Sequence, residues 1–400
     1  MERPKINIVI HSVFACAILF SLCLWGALLV WTNGLTVIGT RDFTTNFPAR
    51  MKLVELNGGY CRSIGRRFCN TVYRAPNGML LSGYRGRSVS QVAGAAADFS
   101  RWLAKRGIDY LFVQTPAKID CGNVLAPPSS VFESGANETA DEFLGHLQRT
   151  GIDALDLRPM LTLTPEDLAR HFYRTDHHWN NDAVFMVFGL LSARLAEKTG
   201  ADRKSVAELT SPSAWRREIR PSCFLGTKGK RTGWLFSGFD DLIVYTPRFP
   251  TQMSIDIPDK KVHRKGSFRQ TNMWRSQAIR GKRGQSYSMD AYSTLYTGGI
   301  YPFVRHRNPT APIRAKVLII GDSYVRPLEA FLSTTVREVV VIDPRRVDRS
   351  LTLVQYVKRE KPNIVLQIQN PSAFGADVIG GQRSGRSVMF DYGLPTAEAK

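Results

Sequence analysis

The stretch KVLIIGDS, residues 316–323, decides the fold. Its four consecutive apolar residues, Val317 to Ile320, are typical of a strand buried on both faces, and Gly321 and Asp322 then end the strand. Helical and strand-like stretches alternate after it, with helices predicted at 327–332 and 351–360 and strands at 338–343 and 363–368. This alternation favours parallel strands with helices on both faces. The sequence therefore predicts a three-layer α/β fold.

The same pattern runs upstream of residue 200. Residues 89–106 place Val92, Phe99 and Leu103 on one helical face. Further helices are predicted at 139–148 and 182–198, and strands at 110–115 and 152–157. Residues 200–310 mix Trp, Pro, Gly and basic residues with few periodic runs. We expect an irregular insertion there, and no second domain.

The N-terminal segment is set apart by its apolar composition. Residues 6–40 contain no Asp, Glu, Lys or Arg, and residues 8–31 are almost continuously apolar. A helix that spans a bilayer needs about 20 such residues, and Arg3 and Lys5 favour a cytoplasmic N-terminus. We expect a cytoplasmic stub and transmembrane signal anchor at 1–35 in the inner membrane, and one extracytoplasmic domain at 40–400. A cleaved signal peptide is the alternative, and it leaves the compartment unchanged.

The formal net charge is +20, and part of the excess is local. Residues 260–283 contain nine Lys or Arg and no Asp or Glu. Nucleic acid is not an expected partner outside the cytoplasm, whereas an anionic glycan or anionic lipid headgroups are. A solvated loop that binds nothing specific explains the same residues.

Four cysteines follow the apolar segment: Cys61, Cys69, Cys121 and Cys223. An even number is compatible with disulfides in an oxidising compartment. Cys61 and Cys69 are close enough in sequence to close a small loop, and four unpaired thiols are the alternative. None of them has the spacing of a metal site.

The residues with catalytic potential are Ser323 and those of Asp176-His177-His178-Trp179. Open α/β sheets place active sites just beyond the carboxyl ends of their strands, where Ser323 lies. A serine hydroxyl needs a base to remove its proton, and the base needs an orienting partner. We therefore predict Ser323 as nucleophile, His178 as base and Asp176 as its orienter, a triad that needs no metal and no cofactor.

A metal site is the alternative for the two adjacent histidines. Zinc requires three or four protein ligands, and His171 is the only nearby histidine that could supply a third. The acid–base pair is therefore preferred.

Six motifs occur in an order that resembles the DHHW proteins and the related alginate O-acetyltransferases of the SGNH hydrolase-like superfamily. They are Phe47-Pro48-Ala49-Arg50, Pro116-x-Lys118, Asp156-Leu157-Arg158, Thr175 to Trp179, Gly321-Asp322-Ser323 and Val341 to Arg345. The acid and base precede the serine here, as they do in that family. The resemblance implies a flavodoxin-like SGNH-type fold and a membrane-anchored enzyme that transfers acetyl groups to exopolysaccharide hydroxyls.

The resemblance also implies an oxyanion hole. Asn370 ends the last predicted strand, where SGNH relatives place an oxyanion asparagine, and the backbone N–H of Gly299 could contribute. The alginate enzymes often carry a Glu-Arg pair near this strand, whereas this chain reads Gln367-Ile368-Gln369-Asn370. The chain is therefore nearer to the DHHW branch.

The implied partners are a polysaccharide acceptor, either neutral or anionic, and a membrane-embedded protein that delivers the acetyl group. Two alternatives stay open. One is a carbohydrate acetylesterase that uses the same triad with water as acceptor. The other is a non-catalytic envelope protein that binds glycans.

Overall fold

The computed structural model describes residues 50–84, 86, 88–118, 135–274, 287–348, 350–374, 378–379, 382–383 and 387–394, with 16–17, 20–21 and 23–24 near the N-terminus. Within these ranges, no helix is both long and apolar enough to cross a bilayer. The anchor predicted at 1–35 and residue Cys121 lie largely or wholly outside the described residues.

One mixed sheet of eight strands forms the centre of the fold, in the order β5-β4-β13-β11-β12-β10-β8-β9. Its first five strands are mutually parallel and confirm the predicted parallel core. The remaining three pair antiparallel at one side. In chain order the strands are β4 (Asp109–Gln114), β5 (Ala154–Asp156), β8 (Met253–Ile257), β9 (Val262–Gly266), β10 (Phe303–Arg307), β11 (Ile313–Gly321), β12 (Val336–Ile342) and β13 (Ile364–Gln369).

The two faces of the sheet are covered by different apolar clusters. Alternate residues of β11 point to opposite sides, with Val317 and Ile319 in one cluster and Leu318 and Ile320 in the other. Full burial of one such side chain contributes roughly 1.5–3 kcal/mol, so a strand buried on both faces is strongly held. The observed architecture is therefore a mixed α/β fold around a large central sheet.

From residue 50 onward, the described part of the chain contains thirteen helices. They are α1 (Arg50–Ser63), α2 (Ser90–Ala104), α3 (Ala136–Arg149), α4 (Arg158–Leu161), α5 (Pro165–His171), α6 (Asn181–Thr199), α7 (Arg203–Thr210), α8 (Thr227–Thr232), α9 (Trp234–Ser237), α10 (Phe268–Asn272), α11 (Ala291–Thr294), α12 (Arg326–Thr335) and α13 (Leu353–Glu360). Short 3-10 turns lie at Pro212–Ala214, Pro258–Lys260, Ser323–Val325, Pro371–Phe374 and Val388–Phe390.

The helix faces follow the predicted periodicity. Helix α2 buries Val92, Phe99 and Leu103 in one cluster, on the same side of the sheet as α3 and α13. Helix α6 contributes Val184 and Leu191 to the cluster on the opposite side. This arrangement leaves the carboxyl ends of the parallel strands open between the helices, as expected for a site in an α/β sheet.

The segment from 200 to 310 is more regular than the sequence suggests. It supplies β8, β9 and β10 to the central sheet, and it forms a separate hairpin from β6 (Trp215–Phe224) and β7 (Asp240–Pro247). These strands are short or carry many charged residues; β9, for example, reads VHRKG. Alternation of apolar and polar residues over so few positions is a weak signal, which is why the pattern in the sequence missed them.

The remaining strands are short. β1 (Phe68–Cys69), β2 (Val72–Arg74) and β3 (Leu80–Leu81) form a small sheet, and β14 (Val378–Ile379) pairs with β15 (Gln382–Arg383). Cys61 and Cys69 are both buried beside this small sheet as free thiols. Burial and the neighbouring Cys61 raise the pKa of the Cys69 thiol to about 12. The two cysteines are therefore neighbours, as their spacing suggests, without a bond between them.

Candidate active site

Three side chains form a continuous hydrogen-bonded chain at the carboxyl edge of the sheet. Ser323 follows β11 in a 3-10 turn, and its Oγ lies 2.8 Å from His178 Nε2. The other ring nitrogen, Nδ1, lies 2.6 Å from Asp176 Oδ1. A carboxylate can only accept, so Nδ1 carries the proton and Nε2 is left to accept from the serine hydroxyl. The structure thus brings together all three residues of the predicted triad.

The loop that carries Asp176 is shaped by its own hydrogen bonds. The His178 backbone N–H also donates to Asp176 Oδ1, at 3.0 Å, which closes a tight turn two residues long. The second carboxylate oxygen accepts from the Thr227 N–H at 2.6 Å. Asn180 then caps helix α6 through the N–H groups of Asp182 and Ala183. The turn and the helix cap together fix the side on which His178 projects.

Gly226 allows the Thr227 backbone to approach Asp176 closely. A methyl group at Gly226 would lie only 2.3 Å from Asp176 Cβ and 2.5 Å from its Oδ2. The Gly226 N–H also donates to Thr175 Oγ1 at 2.8 Å. Only a residue without a side chain permits this approach.

Lys118 and Asp240 hold the same loop from the other side. The Lys118 ammonium is buried and donates to the carbonyls of Tyr173, Arg174 and Asp176 at 2.6–2.8 Å. Asp240 accepts from the backbone N–H groups of Arg174 and Thr175, both at 2.7 Å. All three N–H groups of the ammonium are used, which favours its charged form although burial lowers the pKa of Lys118.

The charges in the site favour an ionised Asp176 beside a neutral His177. Burial opposes ionisation of Asp176, but His178, His177 and the Thr227 backbone N–H together outweigh it and hold the pKa of the carboxyl well below its usual value. Burial and the neighbouring His178 lower the pKa of His177 to about 3. The His177 side chain is 41% exposed, so water acts against that shift. Asp176 is therefore the stable anion that an orienting residue must be.

The His178 ring is enclosed by aromatic groups. Tyr292 stacks on one side with ring centroids 4.0 Å apart and an interplanar angle of 15°, and His177 lies 3.8 Å away. The Tyr292 hydroxyl accepts from Trp179 Nε1 at 2.9 Å and donates to the Tyr324 carbonyl at 3.0 Å. The Tyr292 hydroxyl thus links Trp179, which follows His178, to Tyr324, which follows Ser323. Tyr292 is a residue that the sequence did not single out.

The oxyanion predictions have different outcomes. Asn370 is buried beside the serine turn, where its Nδ2 donates to Asp322 at 2.9 Å. The Cβ direction of Gly299 faces the ring of Tyr301, and no contact joins Gly299 to Ser323 among the contacts of the described residues. Tyr324 N–H and Val325 N–H both bond to Asp322. The Ser323 N–H has no acceptor in the described chain, so it is the backbone donor free to face an oxyanion.

The geometry also tests the metal alternative. Ligand atoms of Asp176, His177 and His178 lie within 4.8 Å of one another. Both ring nitrogens of His178 are already hydrogen-bonded, and His177 Nδ1 lies 2.7 Å from Thr227 Oγ1. His171, the third ligand considered, has its Nδ1 2.9 Å from the Leu161 carbonyl. Metal binding at this cluster would therefore have to break at least one of the hydrogen bonds that join His178 to Asp176 and Ser323.

Two other motifs of the resemblance form structural ion pairs. Asp156 ends β5 and pairs with Arg158, whereas Asp343 and Arg345 pair directly after β12. In each pair the aspartate accepts from the arginine backbone N–H and from its guanidinium. These carboxylates are thus occupied in closing the turns after their strands.

Comparison with known proteins supports the family resemblance. Residues 82–216 match the family model described as the SGNH hydrolase-like domain of acetyltransferase AlgX. The matched residues contain Asp176 and His178 and end before Ser323. No curated protein sequence matches the chain.

The fold is similar to those of solved structures. Bacillus cereus PatB1 with a sulfonyl adduct matches with a TM-score of 0.61 and 18% identity over 80% of this chain and 99% of that one. A DHHW family protein from Eubacterium siraeum matches with a TM-score of 0.55 and 16% identity over 78% of this chain and 94% of that one. The family-model match confirms the predicted resemblance to the SGNH hydrolase-like domain of an acetyltransferase, and the solved structures show a similar fold.

Proposed function

We propose that this protein is an O-acetyltransferase that uses Ser323, His178 and Asp176 to transfer acetyl groups to hydroxyls of an exopolysaccharide or cell-envelope glycan. The observation that carries the proposal is the hydrogen-bonded chain from Asp176 through His178 to Ser323. The matching acetyltransferase family model supports the choice of acyl group.

The first half of the reaction loads the serine. Ser323 Oγ attacks the acyl carbon of the donor while His178 Nε2 accepts the hydroxyl proton, and Asp176 stabilises the imidazolium. The Ser323 N–H faces the developing oxyanion. The bond to the donor's leaving group breaks, and that group takes the proton from His178. An acetyl ester on Ser323 results.

The second half transfers the acetyl group. A sugar hydroxyl attacks the acetyl carbon and gives its proton to Nε2 of His178. The bond between Ser323 Oγ and the carbonyl carbon then breaks, and the proton returns to the serine. The product is an acetylated sugar, and the triad is restored.

The proposed setting is extracytoplasmic. We place the chain in the inner membrane through one helix within residues 1–35, with the catalytic domain on the periplasmic or outer side, on the basis of the apolar N-terminal sequence. A membrane-embedded protein would deliver the acetyl group there, and the acceptor would be a polysaccharide, either neutral or anionic.

An acetylesterase that uses water as acceptor is the second candidate, because it needs the same three side chains. The enclosure of His178, whose side chain is only 7% exposed, favours transfer. A base shielded by Tyr292 and His177 is less accessible to bulk water than to a bound hydroxyl.

The test uses the full chain in nonionic detergent with p-nitrophenyl acetate, with and without a soluble oligosaccharide acceptor. Acetylation of the oligosaccharide supports transfer, whereas free acetate alone supports the esterase. Ser323→Ala and His178→Ala should each lower the rate by at least about 10³-fold. His177→Ala is the matched control, since His177 lies beside the base without contacting Ser323, and we expect less than about a tenfold loss.

Covalent labelling gives a second measurement. The PatB1 structure carries a sulfonyl adduct, so a sulfonyl fluoride is a suitable probe. We expect mass spectrometry to find the adduct on Ser323 in the wild type and in His177→Ala, and not in Ser323→Ala. Activity that survives Ser323→Ala, or labelling at a different serine, would contradict the proposed triad.

A further inference from the structure

Four arginines line one cavity near the start of the described domain. The cavity has a volume of about 220 Å³ and is bordered by Arg62, Arg66, Arg67 and Arg74 together with the ring of Phe236. No acidic residue lines it. We call it the arginine pocket. A cluster of like charges is unfavourable unless an anion neutralises it.

The four arginines have no acidic partner among the described residues. None of the four forms a salt bridge with a described residue. Arg62 donates only to a backbone carbonyl, that of Leu235, at 3.2 Å. The Nε atom of Arg74 is buried without a hydrogen-bond partner. Burial, Arg62, Arg174 and Arg67 lower the pKa of Arg74. Guanidinium groups in this state suit a phosphate, which can accept several N–H donors at once.

An exposed apolar stripe leads to the pocket along helix α1. Leu56, Tyr60 and Ile64 follow one another at intervals of four residues and are 51%, 47% and 51% exposed. The spacing places Leu56 and Tyr60 on one side of the helix, and Ile64 continues the row in the turn directly after the helix ends. The opposite side packs on α8 and α9 through Gly58 and Cys61. The stripe ends at Ile64, directly before Gly65 and Arg66 of the pocket.

The sequence indicates what covers this face. Helix α1 begins 19 residues after Trp31, the end of the apolar stretch predicted to enter a bilayer. Tyrosine and large aliphatic side chains suit the boundary between headgroups and acyl chains, and arginines suit anionic headgroups. The neighbouring helix α9 also exposes Trp234.

We propose that the stripe and the arginine pocket together form a binding face for an anionic phospholipid surface. The headgroup phosphate occupies the pocket, and Leu56, Tyr60 and Ile64 enter the interfacial layer. The face would hold the catalytic domain in one orientation on the membrane. This inference does not depend on the proposed acetyl transfer.

The test measures binding of short-chain phosphatidylglycerol to the full chain in nonionic detergent, beside short-chain phosphatidylcholine, inorganic phosphate and an oligo-uronate. Three triple variants are compared: Arg62→Gln with Arg66→Gln and Arg67→Gln; Leu56→Ser with Tyr60→Ser and Ile64→Ser; and, as control, Lys105→Gln with Lys204→Gln and Lys361→Gln. The control removes the same charge from three exposed positions outside the proposed face and outside the basic stretch at 260–283. Circular dichroism melting verifies that each variant is folded.

We expect the arginine and stripe variants each to weaken phosphatidylglycerol binding by about tenfold or more, and the control by less than about twofold. Phosphate binding should fall only in the arginine variant, and phosphatidylcholine should bind weakly throughout.

Unchanged phosphatidylglycerol binding in the arginine variant would overturn the proposal. The proposal would also be overturned if the oligo-uronate bound more tightly than phosphatidylglycerol and its binding were unchanged in the stripe variant. The face would then recognise a polysaccharide. Esterase activity, measured on the same samples, separates this outcome from any failure of the proposed triad.

Discussion

The triad cluster and the arginine pocket differ in whether their charged groups have partners within the described chain. In the first, Asp176 accepts from His178 and Thr227, and none of the three triad side chains is left without a partner. In the second, four cations face one cavity without a salt bridge to any described residue. A site fully paired before the substrate arrives is preorganised for chemistry. A site whose charges are unpaired is built to gain a partner.

The largest expected effect is in the triad cluster. Asp176→Asn keeps the shape of the residue and removes its charge, and its amide can donate to Nδ1, which favours the wrong tautomer of His178. We expect kcat to fall by about 10⁴-fold while the melting curve stays cooperative. Steady-state kinetics with p-nitrophenyl acetate measures it. A loss below about tenfold would mean that His178 does not depend on Asp176.

Gly226→Ala tests the close approach that holds Asp176. The new methyl group would lie 2.3 Å from Asp176 Cβ, whereas the Gly226 φ of −72° suits any residue, so only the clash is introduced. We expect about a hundredfold loss of activity and a loss of about 1–3 kcal/mol in the free energy of unfolding.

Gly94→Ala is its control. Nothing lies within 4 Å of a methyl group there, in helix α2. We expect unchanged activity and equal or higher stability. Full activity in Gly226→Ala would show that the Asp176 loop can shift without cost.

The acid dependence of stability reports on Asp176 directly. Because its pKa in the folded protein is depressed below the value of 3.8 for a free side chain, its ionisation stabilises the fold above that pH. This contribution is lost as the pH falls through the depressed pKa. We expect the free energy of unfolding of the wild type to exceed that of Asp176→Asn by about 2 kcal/mol at neutral pH. This difference should narrow below about pH 3.8. Chemical denaturation across this range measures it; a gap independent of pH would contradict the assignment.

Tyr292→Phe separates ring stacking from hydrogen bonding at the base. The variant keeps the ring against His178 and removes the hydroxyl that joins Trp179 to Tyr324. We expect about a tenfold loss in kcat with little change in KM.

Tyr296→Phe is the control for this prediction, because its hydroxyl bonds only to the Tyr245 backbone. It should lose about 1 kcal/mol of stability and keep its activity. Equal kinetic losses in the two variants would mean that Tyr292 acts through stability alone.

The smallest effect has the opposite sign and belongs to the arginine pocket. Arg67→Gln removes one of several mutually repelling cations, so we expect it to raise the free energy of unfolding by less than about 1 kcal/mol at low salt. The gain should shrink at high salt, where screening weakens the repulsion. Lys204→Gln, on the surface of α7, is the control and should leave the free energy of unfolding unchanged at low and at high salt. Destabilisation by Arg67→Gln would indicate a partner for Arg67 within the protein.

The sequence predicted the elements that carry the triad better than the residues that hold the triad in place. The strand before Ser323, helix α6 and the parallel core follow from local periodicity, and the structure confirms them. The residues that hold the base in place come from elsewhere: Thr227 lies 51 positions from Asp176, and Tyr292 lies 113 from Trp179. No pattern in the stretch GTKG at 226–229 distinguishes it from the start of any other short helix.

The sequence by itself determined which chemistry is available, because the residue types of Asp176, His178 and Ser323 and the apolar strand before the serine are local properties. Only the tertiary structure decided that Nε2 of His178 meets Ser323 across 145 positions, that Asn370 bonds to Asp322, and that Gly299 faces Tyr301. It also decided that Arg62 and Arg74 share a cavity. The physical reason is that periodicity reports which face of an element is buried, whereas the partner on that face is fixed by packing among distant segments.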